Sequence, residues 1–327
     1  MNEQAIVNKR DKSWYKIIQS DEFGAFIPLL LIIIITTIFR PDFFSVGNLS
    51  SIIAQLTFMA LTALGASLPL MIGKVDISTG RTAGLAGIIM ASLVADYGMN
   101  IWLAILVGEM CSFLVGCINA ILVVDIGIND FVATMGTLYI FGGARYLLVK
   151  GYQFSLTDNF LVKVFDKHYL GMPIYFWIMI VIYIIAFIII KKTMWGRKLL
   201  AVGDNAEVAI LAGINVKKMR REAYIICSML AGLAGILLTL DIGIGLPENG
   251  DGWEFRAIAG AVVGGVSLSG GKGSPLGVFI GISLIFIAEN ALIFLGVPST
   301  MKIAVQGILM AGAVLFDTYR TNKKVQP

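Results

Sequence analysis

The chain has 327 residues, 57% of them hydrophobic and only 14% charged, with a mean hydropathy of +0.86. Soluble domains stay near about half apolar and about a quarter charged, so water is excluded as the main solvent. The formal net charge of +4 is distributed as expected for membrane topology, as set out below, and gives no ground for nucleic-acid binding.

The first 22 positions are polar, with Lys9, Arg10, Asp11, Lys12, Lys16, Asp21 and Glu22. This pattern is unlike a signal peptide and predicts a cytosolic tail over 1–22. Apolar runs then recur, each near the length that a helix needs to cross a bilayer core of about 30 Å. In chain order they predict spans near 23–39, 51–72, 82–97, 101–125, 131–149, 172–190, 222–242, 256–269, 275–296 and 299–316. The expected fold is all-α and polytopic, about ten transmembrane helices in one domain over 23–316, with a second cytosolic tail over 317–327.

An even count places both termini on one side, and the excess of Lys and Arg in short loops selects that side as cytosolic. Lys191, Lys192, Arg197, Lys198, Lys217, Lys218, Arg220, Arg221, Arg320, Lys323 and Lys324 fall there with the basic N-terminal tail. The opposite loops carry Arg40, Lys150, Lys163 and Lys167 against Asp42, Asp96, Asp158, Asp166, Glu248, Asp251 and Glu254. They lean acidic.

Catalytic chemistry has little raw material. Cys111, Cys117 and Cys227 lie in apolar runs without paired spacing, and His168 is the single histidine, so no disulfide framework, metal site, catalytic residue or cofactor is expected. The glycine-rich stretch Gly264–Pro275 is no phosphate loop, since Val266 stands where the first glycine is needed and Gly273 where Ser or Thr must follow Lys272. It reads as a tight turn in which Gly270, Gly271 and Gly273 permit positive φ and Pro275 opens the next helix. If transport is ATP-driven, another subunit supplies the ATPase.

Two pairs of segments look related. Asn119 to Gly127 resembles Asn290 to Gly296, and Asp76 to Gly84 resembles Glu254 to Gly260. Mates lie five spans apart, and an odd offset reverses their direction across the bilayer. Spans two to five and seven to ten are therefore expected to form an inverted repeat, an arrangement that places a transport path at the repeat interface. Gly84, Gly87, Gly260, Gly264 and Gly265 would let its helices approach closely.

Ionisable groups inside spans are costly, about 2.5 kcal/mol or more, and mark functional candidates. Glu109 and Glu289 either line a wet path or are neutral and hydrogen-bonded between helices, with Asn119 and Asn290 near them in sequence. Asp76 and Ser78 precede span three, and Asp251 and Glu254 precede span eight, where helix capping and substrate contact are both open. Arg145 and Lys302 are candidate partners for these acids. The substrate-path candidates are thus Asp76, Ser78, Glu109, Asn119, Glu254, Glu289 and Asn290.

The largest cytosolic loop, 191–221, contains Asp204-Asn-Ala-Glu207-Val-Ala-Ile-Leu-Ala-Gly213. Asp204 and Glu207 have capping-box spacing and Gly213 supplies a stop, predicting a short helix over about 205–212. Its Val208, Ile210 and Leu211 suit burial in a partner's groove, or on the membrane surface. The docking candidates are Asp204, Glu207, Val208, Ile210, Leu211 and Gly213.

This loop, Gly252 to Gly265, Ser267 to Gly273 and Val75 to Gly80 together resemble the membrane permease of ribose/xylose/galactose-type ABC sugar importers, in order over roughly 42–316. The resemblance implies a permease dimer in a bacterial inner membrane, holding two cytosolic ATPase subunits and receiving a monosaccharide from an extracytoplasmic binding protein. It implies that Ala206 to Gly213 is the coupling helix seated on the ATPase. The family usually reads Gly-Ile-Asp-Leu-Ser-Val-Gly where this chain has Lys74-Val-Asp-Ile-Ser-Thr-Gly80, and an acidic residue is common where Arg256 stands. Alternatives are a proton-coupled secondary transporter with Glu109 and Glu289 as relay, or the same ABC class carrying a non-sugar solute. A purely structural scaffold would leave the paired acids without a use, and an intramembrane enzyme lacks every expected motif.

Overall fold

The computed structural model describes residues 21–149, 153–157, 159–165 and 167–298, with scattered positions beyond. The predicted N-terminal tail, the tenth span at 299–316 with Lys302, and the C-terminal tail lie largely or wholly outside the described residues. Helix α1 (Asp21–Phe39) leads through a 3-10 turn (Pro41–Phe44) into α2 (Val46–Met71), α3 (Thr79–Ala95) and α4 (Ile101–Ala120). The last of these runs on through a π turn (Ile121–Asp125), and α5 (Asp130–Val149) follows. A short excursion holds β1 (Phe154–Ser155), α6 (Phe160–Phe165), β2 (His168–Tyr169) and β3 (Met172–Pro173). Then come α7 (Ile174–Lys192), α8 (Met194–Asp204), α9 (Ala206–Leu211), α10 (Val216–Ile242), β4 (Ile244–Gly245), α11 (Trp253–Val263) and α12 (Pro275–Phe294). The strands form two small antiparallel pairs, β1 with β4 and β2 with β3.

Six of these helices are long and apolar enough to cross a membrane, and Ala25–Phe39 and Thr79–Ala95 are shorter apolar helices. The predicted eighth span is corrected. Residues 256–269 form no crossing helix: α11 covers only Trp253–Val263, 11 residues, and a non-helical stretch follows to Ser274. At 1.5 Å per residue α11 reaches about half of a bilayer core.

Local signals set the helix ends. Ser45, Asn100 and Asn215 cap α2, α4 and α10 by accepting from the backbone N–H of Asn48, Trp102 and Lys218, and Pro275 opens α12 where its missing N–H costs nothing. In the glycine turn before it Gly270 and Gly271 have positive φ as expected; Gly273 does not, and instead lies against the Met71 side chain.

Burial sorts the helices into layers. In the most apolar part of α2, 61% of residues are buried inside the protein, against 22% in α7. A helix apolar all round but little buried by its own chain faces lipid, so α7 is peripheral. Helix α10 is central and packs against α2, α3 and α4. Gly235 makes this possible, because any Cβ there would overlap the Ala83 backbone.

Candidate functional site

The path from α2 to α3 is not helical. Residues 74–78 form no regular secondary structure, and in an apolar interior each of their backbone groups needs a partner. Side chains of other helices provide them. Asp130 accepts from the Val75 N–H at 2.7 Å, Thr134 accepts from the Ile77 N–H at 3.3 Å, and Tyr224 of α10 donates to the Val75 carbonyl at 3.1 Å. Lys74 adds an ion pair to Asp130 at 3.4 Å.

At the end of this segment sits a closed polar network. Asp76, 1% exposed, accepts from the Ser78 N–H at 2.9 Å and its hydroxyl at 2.6 Å. Asn119 donates to Asp76 at 3.2 Å and to Ser78 at 2.8 Å, and accepts from Thr137 at 2.8 Å. Three predicted candidates from two distant segments therefore meet, joined by Thr137, which sequence reading missed. Ser78 is the N-cap residue of α3 yet makes no side-chain cap. Asp76 and Ser78 are committed to each other and to Asn119.

A second cluster lies where α11 begins. The stretch after α10 turns back through β4 and Gly250, and the start of α11 meets the start of α3 so closely that a methyl on Gly80 would overlap the Glu254 carboxylate and the Gly250 carbonyl. The matched segments of the predicted repeat thus abut at their N-terminal ends. Arg145 of α5, fully buried, donates to Asp251 at 2.7 Å and to the Asn249 carbonyl at 2.8 Å. Arg81 of α3 pairs with the same Asp251 carboxylate. The anticipated pairing of Arg145 with an acid is present; the part of Arg81 was missed, although its place directly after Gly80 at a helix start was a usable signal. Glu254 is 2% exposed, and Thr79 Oγ1, Arg145 Nε, Asn249 Nδ2 and Glu254 Oε2 find no hydrogen-bond partner among the described residues. The cluster carries more donors and acceptors than its members use.

The remaining candidates separate. Glu289 of α12 pairs with Arg256 of α11 at 3.3 Å. Asn290 exchanges hydrogen bonds with Asn48 at the start of α2, at 3.2 and 3.3 Å, which is a structural tie. Glu109 of α4 lies instead near Gly232 of α10, and its Oε2 has no hydrogen-bond partner among the described residues.

At the opposite end of α10 stands α9. Its N-cap is Asn205, whose Oδ1 accepts from Glu207 and Val208 N–H at 3.0 and 3.1 Å. The predicted Asp204–Glu207 capping box is therefore corrected: α8 continues to Asp204, so the next residue takes the cap, and Glu207 takes part through its backbone. Gly213 ends the helix with φ +75° as expected. Ala209 is 2% exposed, while Val208, Ile210 and Leu211 are 59%, 61% and 88% exposed. One residue anchors the helix and three apolar ones are presented outward.

Comparison with known proteins accounts for this arrangement. A family model described as branched-chain amino acid transport system / permease component matches residues 48–314. The ribose import permease protein of Haemophilus influenzae is 33% identical over 308 residues, covering 93% of this chain and 95% of that protein. The ribose import permease protein of Bacillus subtilis is 32% identical over 298 residues, 90% of this chain and 92% of that one. The L-arabinose ABC transporter permease protein of Azospirillum brasilense is 27% identical over 320 residues, 98% and 93% of the two chains. No solved structure matches the chain. A chain with six helices long and apolar enough to cross a membrane and full-length similarity to import permeases belongs to the branched-chain amino acid transport system / permease component family, and is a membrane transport permease.

Proposed function

We propose that the chain is the membrane-spanning subunit of an ATP-driven importer, passing a monosaccharide delivered by an extracytoplasmic binding protein. The observation that carries the reading is α9. A six-residue helix that leaves Val208, Ile210 and Leu211 open to solvent suits burial in a partner's groove. The basic residues around it, Lys191, Lys192, Arg197, Lys198, Lys217 and Lys218, favour the cytosolic side for this end, where an ATPase would sit. Both termini would then be cytosolic. The relatives named for ribose and arabinose favour a sugar as the cargo.

Two copies of the chain would carry two ATPase subunits. Closure of the ATPases on ATP would push α9, and through it α8 and α10, against the shorter helices α3 and α11. The Asp251 ion pairs and the Asp76–Asn119 network hold those helix starts, so Asp76, Ser78, Asn119 and Glu254 border the moving interface. Glu109, Glu289 and Asn290 then serve the supporting framework.

The test is reconstitution of the chain with its ATPase and binding protein in ATP-loaded vesicles. Sugar accumulation that needs ATP and disappears with Ile210→Asp, along with ATPase co-purification, is the expected result. Accumulation driven by a pH gradient without the ATPase would overturn the reading.

A further inference from the structure

The end of α10 opposite to α9 borders a cavity of about 420 Å³, lined among others by Gln55 and Phe58 of α2, Asp241 of α10, Trp253 and Arg256 of α11 and Phe286 of α12. We infer that this cavity is a monosaccharide subsite of the translocation path, with Trp253 as its stacking platform. The inference rests on the importer reading above and adds to it a place and a set of contacts.

The position is the first argument. Asp241 is the second-last residue of the 27-residue α10, about 40 Å along the helix from the α9 end. The cavity therefore faces the side of the membrane where a binding protein would release its cargo. Trp253 and Arg256 belong to the first turn of the short helix α11, so the cavity floor is part of that helix. A solute bound there touches the segment that must move.

The lining chemistry is the second argument. Gln55, Asp241 and Arg256 put polar groups into the wall of the cavity, where a polar occupant can use them. Gln brings donors and an acceptor, a carboxylate brings acceptors and a guanidinium brings donors in a planar fork, a mixture suited to neighbouring hydroxyl groups. The lining carries one carboxylate, Asp241, and one guanidinium, Arg256, so the cavity offers no surplus of one sign. That argues for a neutral polyol over an anion or a cation. Trp253, Phe58 and Phe286 supply the apolar surface that the C–H face of a sugar ring covers. Its size falls within the range of small-ligand pockets, where a few placed polar groups orient a mostly apolar contact.

The experiment uses the complete transporter in vesicles, with radiolabelled pentoses and hexoses, ribose and arabinose among them. Trp253→Ala, Trp253→Phe and Gln55→Leu are compared by two readouts, sugar carried per ATP hydrolysed and ATP hydrolysis stimulated by loaded binding protein. We expect Trp253→Ala and Gln55→Leu to lower sugar carried per ATP several-fold while stimulated hydrolysis persists, which also certifies folding and docking. Trp253→Phe should keep most of the transport. Wild-type yield per ATP in Trp253→Ala, or an equal loss in Trp253→Phe, would overturn the subsite and leave the importer reading intact. A wild-type complex that hydrolyses ATP and moves none of the sugars would instead remove the importer reading, and the subsite with it.

Discussion

Arg145, fully buried in α5, reaches Asp251 at 2.7 Å, 106 residues further along the chain. A charge so placed is tolerated only while its partner stays, since removing one member of a buried pair leaves the other uncompensated. Asp251→Ala should therefore lower stability by about 2 kcal/mol, below the usual range for fully buried pairs because the Asp251 side chain is 37% exposed. Arg145→Met in the same chain should restore part of the loss. Thermal unfolding of the purified protein in detergent, read for both single variants and the double, measures this coupling.

Asn119 makes three hydrogen bonds in one enclosed network. Its replacement by Leu takes one partner from each of Asp76, Ser78 and Thr137, and a cost of about 3 kcal/mol is expected. Thr137→Val removes only the hydroxyl shared between Asn119 and the Thr134 carbonyl and should cost about 1 kcal/mol. The order of the two melting temperatures checks the network; equal losses would show that Asn119 contributes only its volume.

Gly235 and Gly136 differ in surroundings, not in type. A Cβ at Gly235 meets the Ala83 backbone, whereas one at Gly136 meets nothing within 4 Å. Gly235→Leu should thus force α10 and α3 apart at a cost of about 3 kcal/mol or more and sharply reduce the folded yield. Gly136→Ala should leave it unchanged. Fluorescence-detected size-exclusion profiles of the two variants distinguish these outcomes.

Asn205 holds α9 by its cap, so Asn205→Ala should loosen the helix by about 1 kcal/mol without touching the apolar residues it presents. Binding to the ATPase is expected to weaken several-fold, with membrane insertion unaffected, and Asn205→Ser should recover most of it. A pull-down titration of the ATPase onto the three forms measures the effect.

How much of this was legible in the sequence follows from the range of each signal. Helix α9 was readable because Val208, Ile210 and Leu211 stand in an otherwise basic loop, a local anomaly. Its cap was misplaced by one residue, since Asp204 and Asn205 both favour that role and the choice depends on how far α8 runs. The eighth span was misread for a different reason. Hydropathy between 256 and 269 records apolar composition, which a short helix followed by a glycine-rich turn shares with a helix crossing lipid. Arg81 was missed because its partner Asp251 is 170 residues away. Glu109 and Glu289 looked equivalent as mates in the repeat, yet among the described residues only Glu289 has an arginine opposite.

The non-helical segment between α2 and α3 bears on how the protein is made. Its backbone is completed by Asp130, 55 residues downstream, and by Tyr224, 149 residues downstream of Val75. A ribosome feeding the chain into the bilayer delivers this segment long before those side chains exist. Biogenesis must therefore shelter the unfinished segment, in the insertion machinery or in water, and the early helices cannot settle in order of synthesis. Truncated nascent chains ending before Tyr224 should remain open to proteases that the finished permease resists.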